Sequence, residues 1–158
     1  MRNDFKFKIF DMYLKKSFFV SKIDFLNNEV YYITDEKMLK TNFDDAIILF
    51  PTGISDCHNR PIYEGDIITY QLTSFSPKTT AQVTYENGCF LCKQLLSQEK
   101  EARVKKESIN PNSLADLLCL AQTAAFKPLK IIGNIFTYKN ERIRKSGLQK
   151  LVEEKVPL

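Results

Sequence analysis

The side chains that most often carry out chemistry are few in this sequence. His58 is the only histidine, and it follows Cys57 in a polar stretch, 55–61, whose composition predicts a loop. General acid–base catalysis needs a positioned, partly buried group close to its substrate. A histidine in a surface turn does not meet that need, and we expect the neighbouring Cys57 side chain to diverge from it. The pair therefore predicts no catalytic dyad.

Cys89 and Cys92 form a C-x-x-C motif, which together with Cys57 and His58 offers four possible zinc ligands. The motif falls in a strand-like stretch, where side chains three residues apart point to opposite faces. The Phe-Leu pair between the cysteines is typical of a core. Such motifs are convincing mainly when a second one accompanies them. We therefore expect no bound metal.

Motifs for phosphate binding and for catalysis are missing as well. Neither G-x-G-x-x-G nor G-x-x-x-x-G-K occurs. Glu64 and Asp66 are too few carboxylates to hold a hard metal ion without others nearby. The sequence thus predicts a protein that is not an enzyme and that takes no cofactor.

Two glycines and the polar residues beside them favour structural roles. Gly65 lies just before a predicted strand, where a positive φ would be useful. Gly133 lies inside an apolar strand pattern, which indicates a bulge or a close backbone approach. Asn134, if buried, must find hydrogen-bond partners, and a neighbouring strand's backbone is the nearest source. We interpret Gly65, Asp66, Gly133 and Asn134 as architectural.

The composition is that of one soluble globular domain. The chain has 158 residues, of which 44% are hydrophobic and 27% charged, and this balance excludes wholesale disorder. No apolar run approaches the ~18 residues of a membrane-spanning helix. Four cysteines without a secretion signal indicate free thiols in a reducing cytoplasm.

Turn signals and period-two patterns predict a mainly β, β-rich α+β fold within a single domain, 1–158. Residues 1–96 read as short strands that form a curled antiparallel sheet or a small barrel, with hairpin turns at Asn27-Asn28 and Asn87-Gly88. A variable charged insert, 97–112, follows. Residues 113–158 predict a short helix capped by Ser113, a closing strand over 129–138 and a C-terminal helix over 140–155.

The formal net charge is +4, but basic residues concentrate near the C-terminus. Seven of them lie between Lys127 and Lys150, with Glu141 as the one acid. Such a stretch can meet phosphates or an acidic partner, or it can be a solvated helix face. The candidate nucleic-acid contacts are Arg142, Arg144, Lys145 and Lys150.

Aromatic residues offer a second candidate surface. Phe18, Phe19, Tyr31 and Tyr32 lie in adjacent predicted strands and could stack bases, fill a core or form a subunit interface. One member of each consecutive pair must face away from the core. A contact surface is therefore predicted on the outward side.

Four separate stretches resemble one known family. Residues 5–11, FKFKIFD, are similar to its opening strand, and TGISD at 52–56 with PIYEGDII at 61–68 is similar to its central signature. AQVTY at 81–85, leading to Phe90, resembles its hairpin, and IIGNIF at 131–136 resembles its closing strand. This is the YopX family, small proteins encoded by bacteriophages and prophages.

The resemblance implies a β-rich fold with a barrel-like sheet, a phage or prophage origin and homo-oligomerisation, but no established reaction or catalytic residue. Two hypotheses follow. The first is a non-enzymatic accessory protein in the bacterial host cytoplasm, whose oligomeric β domain binds a host or phage protein. The alternative is a nucleic-acid-binding protein that uses the basic C-terminal region. We also expect the strands that carry Asp66 and Asn134 to be neighbours.

Overall fold

The computed structural model describes residues 6–71, 77–95 and 127–138, and most of them are in β-strands. Within these ranges a 3-10 turn, Phe43–Asp45, precedes the fifth strand. The strands are β1 (Lys8–Asp11), β2 (Lys16–Asp24), β3 (Glu29–Ile33), β4 (Met38–Asn42), β5 (Ala46–Leu49), β6 (Pro51–Ser55), β7 (Pro61–Tyr63), β8 (Asp66–Gln71), β9 (Thr79–Glu86), β10 (Cys89–Gln94) and β11 (Lys127–Asn134).

The described strands pair into three antiparallel sheets. The first has the order β4-β3-β2-β1-β5, the second has the order β10-β9-β8-β11, and β6 pairs with β7 as a hairpin. The predicted mainly β class is confirmed, whereas a small closed barrel is wrong for the described residues. Closure needs the outer strands of a sheet to pair with each other. Here β11 pairs with β8, so β10 and β11 lie at opposite edges of the second sheet.

Both predicted hairpin turns are present, and their positive φ angles explain why asparagine and glycine occupy them. Asn28 has φ 59° between β2 and β3, and Asn87 and Gly88 have φ 49° and 80° between β9 and β10. Asparagine and glycine tolerate this left-handed region better than other residues, which is why these dipeptides mark tight hairpins.

Three buried clusters form the described core: one, with Ile9 and Val30, lies on the five-stranded sheet, and the other two lie on the two faces of the four-stranded sheet. One face packs against the β6–β7 hairpin through a cluster that includes Ile62, Ile68 and Val83. The opposite face packs against β1 and β5, where Phe10 stacks on Phe136 with ring centroids 4.4 Å apart. The four-stranded sheet is therefore the middle layer of the described fold.

The remaining predicted elements fall outside this part of the chain. The charged insert 97–112, the short helix from Ser113 and the C-terminal helix over 140–155 lie outside the described residues. Among the residues that are described, no helix is both long and apolar enough to cross a membrane.

Gly65 combines a positive φ with close packing, and this predicts a measurable cost for replacing it. A Cβ on Gly65, at φ +84°, would lie 3.3 Å from Phe136 Cε2, whereas Gly88, at φ +80°, has open space around it. Gly88→Ala bears only the left-handed strain, while Gly65→Ala should add an overpacking cost of about 1–3 kcal/mol. Urea unfolding of both variants measures the difference. Equal losses would show that the space around Gly65 is not limiting.

Candidate interaction surface

One line of residues crosses all strands of the five-stranded sheet and passes from core to solvent. Leu49 pairs with Lys8, Lys8 with Phe19, Phe19 with Ile33, and Ile33 with Met38. Directly paired residues share one face of an antiparallel sheet. Leu49 is buried against the four-stranded sheet, but Phe19, Ile33 and Met38 are 48%, 58% and 60% exposed. We refer to Phe19, Ile33 and Met38 as the apolar row.

Lys8 stands at the point where this line leaves the core. Its Nζ lies 4.2 Å from the ring centroid of Tyr63 and 5.0 Å from that of Phe19. Burial lowers the pKa of Lys8, and the nearby charge of Asp66 offsets part of that effect. An ammonium over two aromatic faces covers the inner end of the apolar row while its charge is stabilised by the rings.

The charges beside the apolar row are paired with one another. Lys22 Nζ lies 3.1 Å from Asp24 Oδ2, and Lys40 Nζ lies 2.6 Å from Glu29 Oε1. Tyr31 Oη also donates a hydrogen bond of 2.7 Å to Glu29. The hydrogen bond from Lys40, and then that from Tyr31, lowers the pKa of Glu29. Apart from the Lys8 ammonium at its inner end, the charges beside the row are thus held in ion pairs.

The aromatic pairs divide between the two faces, as the sequence predicted. Phe19 faces solvent, whereas Phe18 stacks on Tyr32 on the opposite face at 4.9 Å between centroids. Tyr32 is buried and donates a hydrogen bond of 2.8 Å to Asp11 Oδ2. Burial, with this bond second, raises the pKa of Tyr32 to about 12. The four rings therefore do not form one stacking platform.

The expected proximity of Asp66 and Asn134 is confirmed. They lie opposite each other in the pairing of β8 with β11, and Asn134 Nδ2 donates to Asp66 Oδ1 at 3.2 Å. The partner of this amide is thus a carboxylate, where backbone was expected. Tyr63 N–H donates to the other oxygen of Asp66 at 2.9 Å, and Phe136 N–H donates to Asn134 Oδ1 at 3.1 Å. Asp66 and Asn134 therefore connect two strands and the turn after β11.

Gly133 produces the bulge that the sequence indicated. The register of β11 against β8 shifts between Ile131 and Gly133. A Cβ at Gly133 would lie 2.7 Å from Tyr138 Cδ2, so the ring can pack here only over a glycine. The close approach explains the glycine in a strand that is otherwise rich in isoleucine.

Sequence reasoning missed a second tie to β11, formed by Asp56 and Arg60. The buried Asp56 carboxylate accepts hydrogen bonds from the N–H groups of His58 and Arg60, at 2.9 and 3.0 Å. Arg60 Nη2 donates to Asp56 Oδ2 at 2.6 Å and to the carbonyl oxygen of Ile131 at 2.7 Å. Ile131 N–H in turn donates to Asp56 Oδ2 at 3.2 Å. An aspartate opening a turn was the available signal.

The two aspartates respond to burial in opposite directions. Burial alone would raise the pKa of Asp56, but hydrogen bonds from Arg60, His58 and Ile131 outweigh it and hold that pKa well below its usual range. Burial raises the pKa of Asp66, because the bonds from Tyr63 and Asn134 offset only part of the desolvation. Asp56 is thus stabilised as a carboxylate, whereas Asp66 is not.

The turn held by Asp56 brings Cys57 and His58 together, which overturns the expectation that their side chains diverge. Cys57 Sγ lies 3.2 Å from His58 Nδ1, and Asp56 Oδ2 lies 3.8 Å from the same nitrogen. Polar atoms of all three residues lie within 4.8 Å of one another. The turn is closed by hydrogen bonds from His58 N–H and Arg60 N–H to Asp56, and Asn59 has φ 59° within it. The Asp56 carboxylate already accepts hydrogen bonds from three backbone N–H groups, those of His58, Arg60 and Ile131. Its first role is therefore to hold the backbone of the turn.

The four-ligand zinc hypothesis does not match the described geometry. Cys57 N–H donates to the carbonyl oxygen of Leu129 on β11, whereas Cys89 and Cys92 lie on β10, and β8 and β9 separate these two strands. Cys89 is exposed and Cys92 is buried, as expected for opposite faces of a strand. Burial raises the pKa of Cys92 to about 12, so its thiol does not ionise readily.

Arg142, Arg144, Lys145 and Lys150 all lie outside the described residues. The prediction that they bind phosphates therefore stays a prediction.

Comparisons with known proteins agree with the fold. A family model described as YopX protein matches residues 6–141. A search of curated proteins finds no match to this chain. The crystal structure of protein EF1440 from Enterococcus faecalis is similar, with a TM-score of 0.51 and 16% sequence identity over 87% of this chain and 96% of that one. At this identity the likeness shows the fold alone.

The pKa of Asp56 predicts an acid-sensitive contribution to stability. Because its folded-state pKa is lowered, the contribution is fully present well above the unfolded pKa of about 4, and it is lost progressively as the pH falls below about 5. Asp56→Asn should lower the free energy of unfolding at pH 7 and flatten its fall between pH 6 and 3. Urea unfolding across that range measures both effects.

Asp66→Asn is the matched comparison. Because the pKa of Asp66 is raised in the folded state, the unfolded state releases this proton more readily. The contribution of Asp66 to the free energy of unfolding therefore increases as the pH falls, opposite to that of Asp56. If both variants flatten the acid loss equally, the assignment to Asp56 is incorrect.

Proposed function

The chain belongs to the YopX family, and we propose that it is a phage- or prophage-encoded accessory protein. It works as a non-enzymatic, self-associating protein-interaction module. The observation that supports the proposal is the apolar row. Phe19, Ile33 and Met38 are paired across three neighbouring strands, and each is about half exposed or more. Contiguous apolar side chains of this size on a folded surface are typical of association sites.

A second copy of the chain is the partner that best suits this surface. Two copies related by a two-fold axis contact each other through the same surface. That surface must therefore carry both partners of every complementary contact. The apolar row offers apolar surface to its copy, and the ion pairs Lys22–Asp24 and Lys40–Glu29 offer both signs of charge beside it. The patch is therefore self-complementary, with an apolar centre and a polar rim.

The nucleic-acid alternative depends on the basic C-terminal stretch. Near the exposed aromatics, Lys22 and Lys40 are each engaged by a carboxylate, and phosphate binding would have to displace that partner. If phosphate contacts nevertheless dominate, binding measured by fluorescence anisotropy should weaken with salt at a slope near −0.9 per contact on duplex DNA. Replacing Arg142, Arg144 and Lys145 together by alanine should then abolish it.

Replacing the apolar row should separate the copies. We expect the combined change Phe19→Ser, Ile33→Thr and Met38→Thr to weaken the self-association constant at least about tenfold, since burying such side chains is worth ~1.5–3 kcal/mol each. Sedimentation equilibrium over a wide range of protein concentrations measures this constant. Far-UV circular dichroism checks that the variant keeps its strands.

The matched control replaces three exposed apolar residues in the β1–β2 turn. Met12, Tyr13 and Leu14 are comparably exposed but lie outside the apolar row, so their combined change to serine should leave the association constant unchanged. A wild-type protein that stays monomeric at every concentration, or a control that dissociates as much as the row variant, would contradict the proposal.

A further inference from the structure

The apolar row and the four-stranded sheet lie on the same face of the five-stranded sheet. Phe19 pairs with Lys8, and Lys8 and Phe10 are alternate residues of β1, so these side chains share one face. On that face Phe10 stacks on Phe136, which belongs to the cluster beside the four-stranded sheet. The four-stranded sheet therefore stands at the inner end of the row, next to Lys8. Packed sheets lie about 10 Å apart, so a sheet that covers the row occupies the same layer.

The position of the four-stranded sheet limits how a second copy covers the row. The two-fold axis between two facing sheets runs close either to the row or to the strand direction. An axis along the row brings the inner ends of both rows together, and the two four-stranded sheets would then occupy the same space. An axis along the strands places these sheets at opposite ends of the interface. Strands β2, β3 and β4 of each copy then lie beside the four-stranded sheet of the other.

The charges at the two ends of the row differ in sign. The cation Lys8 marks the inner end. At the outer end, Asp35 and Glu36 form the exposed turn between β3 and β4, which is closed by a hydrogen bond of 2.9 Å from Thr34 N–H to the carbonyl oxygen of Lys37. Within the part of the chain that the structure describes, neither carboxylate forms an ion pair. Antiparallel rows therefore bring opposite charges together, whereas an axis along the row brings like charges together.

Lys8 needs a counter-charge when a copy covers the row. Burial already lowers its pKa, and a more deeply buried ammonium is costly unless a carboxylate pairs with it. Two acids beside the row, Asp24 and Glu29, are engaged by Lys22 and Lys40. The turn between β3 and β4 supplies carboxylates that are not engaged in this way.

The dimensions of the sheet bring Lys8 close to this turn in the antiparallel arrangement. Met38 is three strands away from Lys8, roughly 14 Å, so an axis along the strands places each of these residues opposite the other one in the second copy. Glu36 precedes Met38 by two residues, about 7 Å along the strand, a gap that the lysine and the acidic side chain span together.

Given the self-association proposed above, on which this step rests, we propose that two copies pack their apolar rows antiparallel about a two-fold axis along the strands. Lys8 of each copy then pairs with Asp35 and Glu36 of the other. Lys8 and the acidic turn fix the orientation of the two copies, while the apolar row supplies the buried area.

Carbodiimide crosslinking of the wild-type protein tests the contact directly, because this reagent joins an amine to a carboxylate without a spacer. At concentrations where the protein self-associates, we expect crosslinks from Lys8 to Asp35 or Glu36, mapped by mass spectrometry. Mixing isotope-labelled with unlabelled protein separates crosslinks between chains from those within one chain, and we expect the former. Associated protein in which Lys8 crosslinks only to other carboxylates, or to none, would overturn the proposal.

Charge reversal gives a second readout. Lys8→Glu, and separately Asp35→Lys with Glu36→Lys, should each weaken self-association at least about tenfold, because like charges then face each other at both ends of the interface. An equimolar mixture of the two variants should recover the wild-type association constant, since every contact in the mixed dimer again joins opposite charges. Sedimentation equilibrium measures the constants, and far-UV circular dichroism checks that both variants keep their strands.

The matched controls are Lys16→Glu and the double change Asp44→Lys with Asp45→Lys, which make the same charge changes outside the row. Both should associate like the wild type. If the mixture gains nothing over the separate variants while the triple variant of the apolar row still dissociates, the antiparallel orientation is wrong and self-association through the row stands. A wild-type protein that stays monomeric would contradict the self-association itself.

Discussion

The fold depends on two aspartates that hold β11 against the rest of the molecule. Asp56 accepts the N–H of Ile131, and Asp66 accepts the side-chain amide of Asn134, across 75 and 68 positions of sequence. Bringing such distant residues together costs loop-closure entropy. The charge-assisted bonds between Arg60 and Asp56, and the hydrogen bond from Arg60 to the backbone of β11, offset that cost. The two ties lie at different points along β11 and so fix its register.

The position of β11 decides which surfaces are covered and which are bare. Its residue Leu129 belongs to the cluster beneath the β6–β7 hairpin, and Ile135 and Phe136 just after it belong to the cluster beneath β1 and β5. Phe136 anchors Phe10, so only one end of the five-stranded sheet lies on the middle layer. The inner face of β2, β3 and β4 extends beyond that support. The apolar row is therefore a geometric consequence of where the two sheets meet.

Much of this could be read from the sequence because the signals were local. Asn28 and Gly88 mark their hairpins through the φ values they tolerate. That the strands of Asp66 and Asn134 are neighbours was expected from the family resemblance, but the side-chain contact between the two residues was not. The β4 strand was not predicted, because apolar and polar residues alternate only weakly in Met-Leu-Lys-Thr-Asn. Its strand conformation depends on pairing with β3. A barrel was wrong because edge pairing is a non-local property. The contact of Cys57 with His58 depends on a turn that Asp56 shapes through the distant β11, which no local pattern reveals.

Self-association through the apolar row, as proposed, would place Phe19, Ile33 and Met38 in an interface between copies of this chain. Methyl NMR of the full-length protein at increasing concentration tests it most directly, since Met38 and Ile33 lie in the row whereas Ile9 and Ile62 are fully buried. If the row is the interface, the Met38 and Ile33 methyl signals shift with concentration while those of Ile9 and Ile62 stay in place. Signals that are independent of concentration, or shifts confined to other exposed methyl groups, would contradict it.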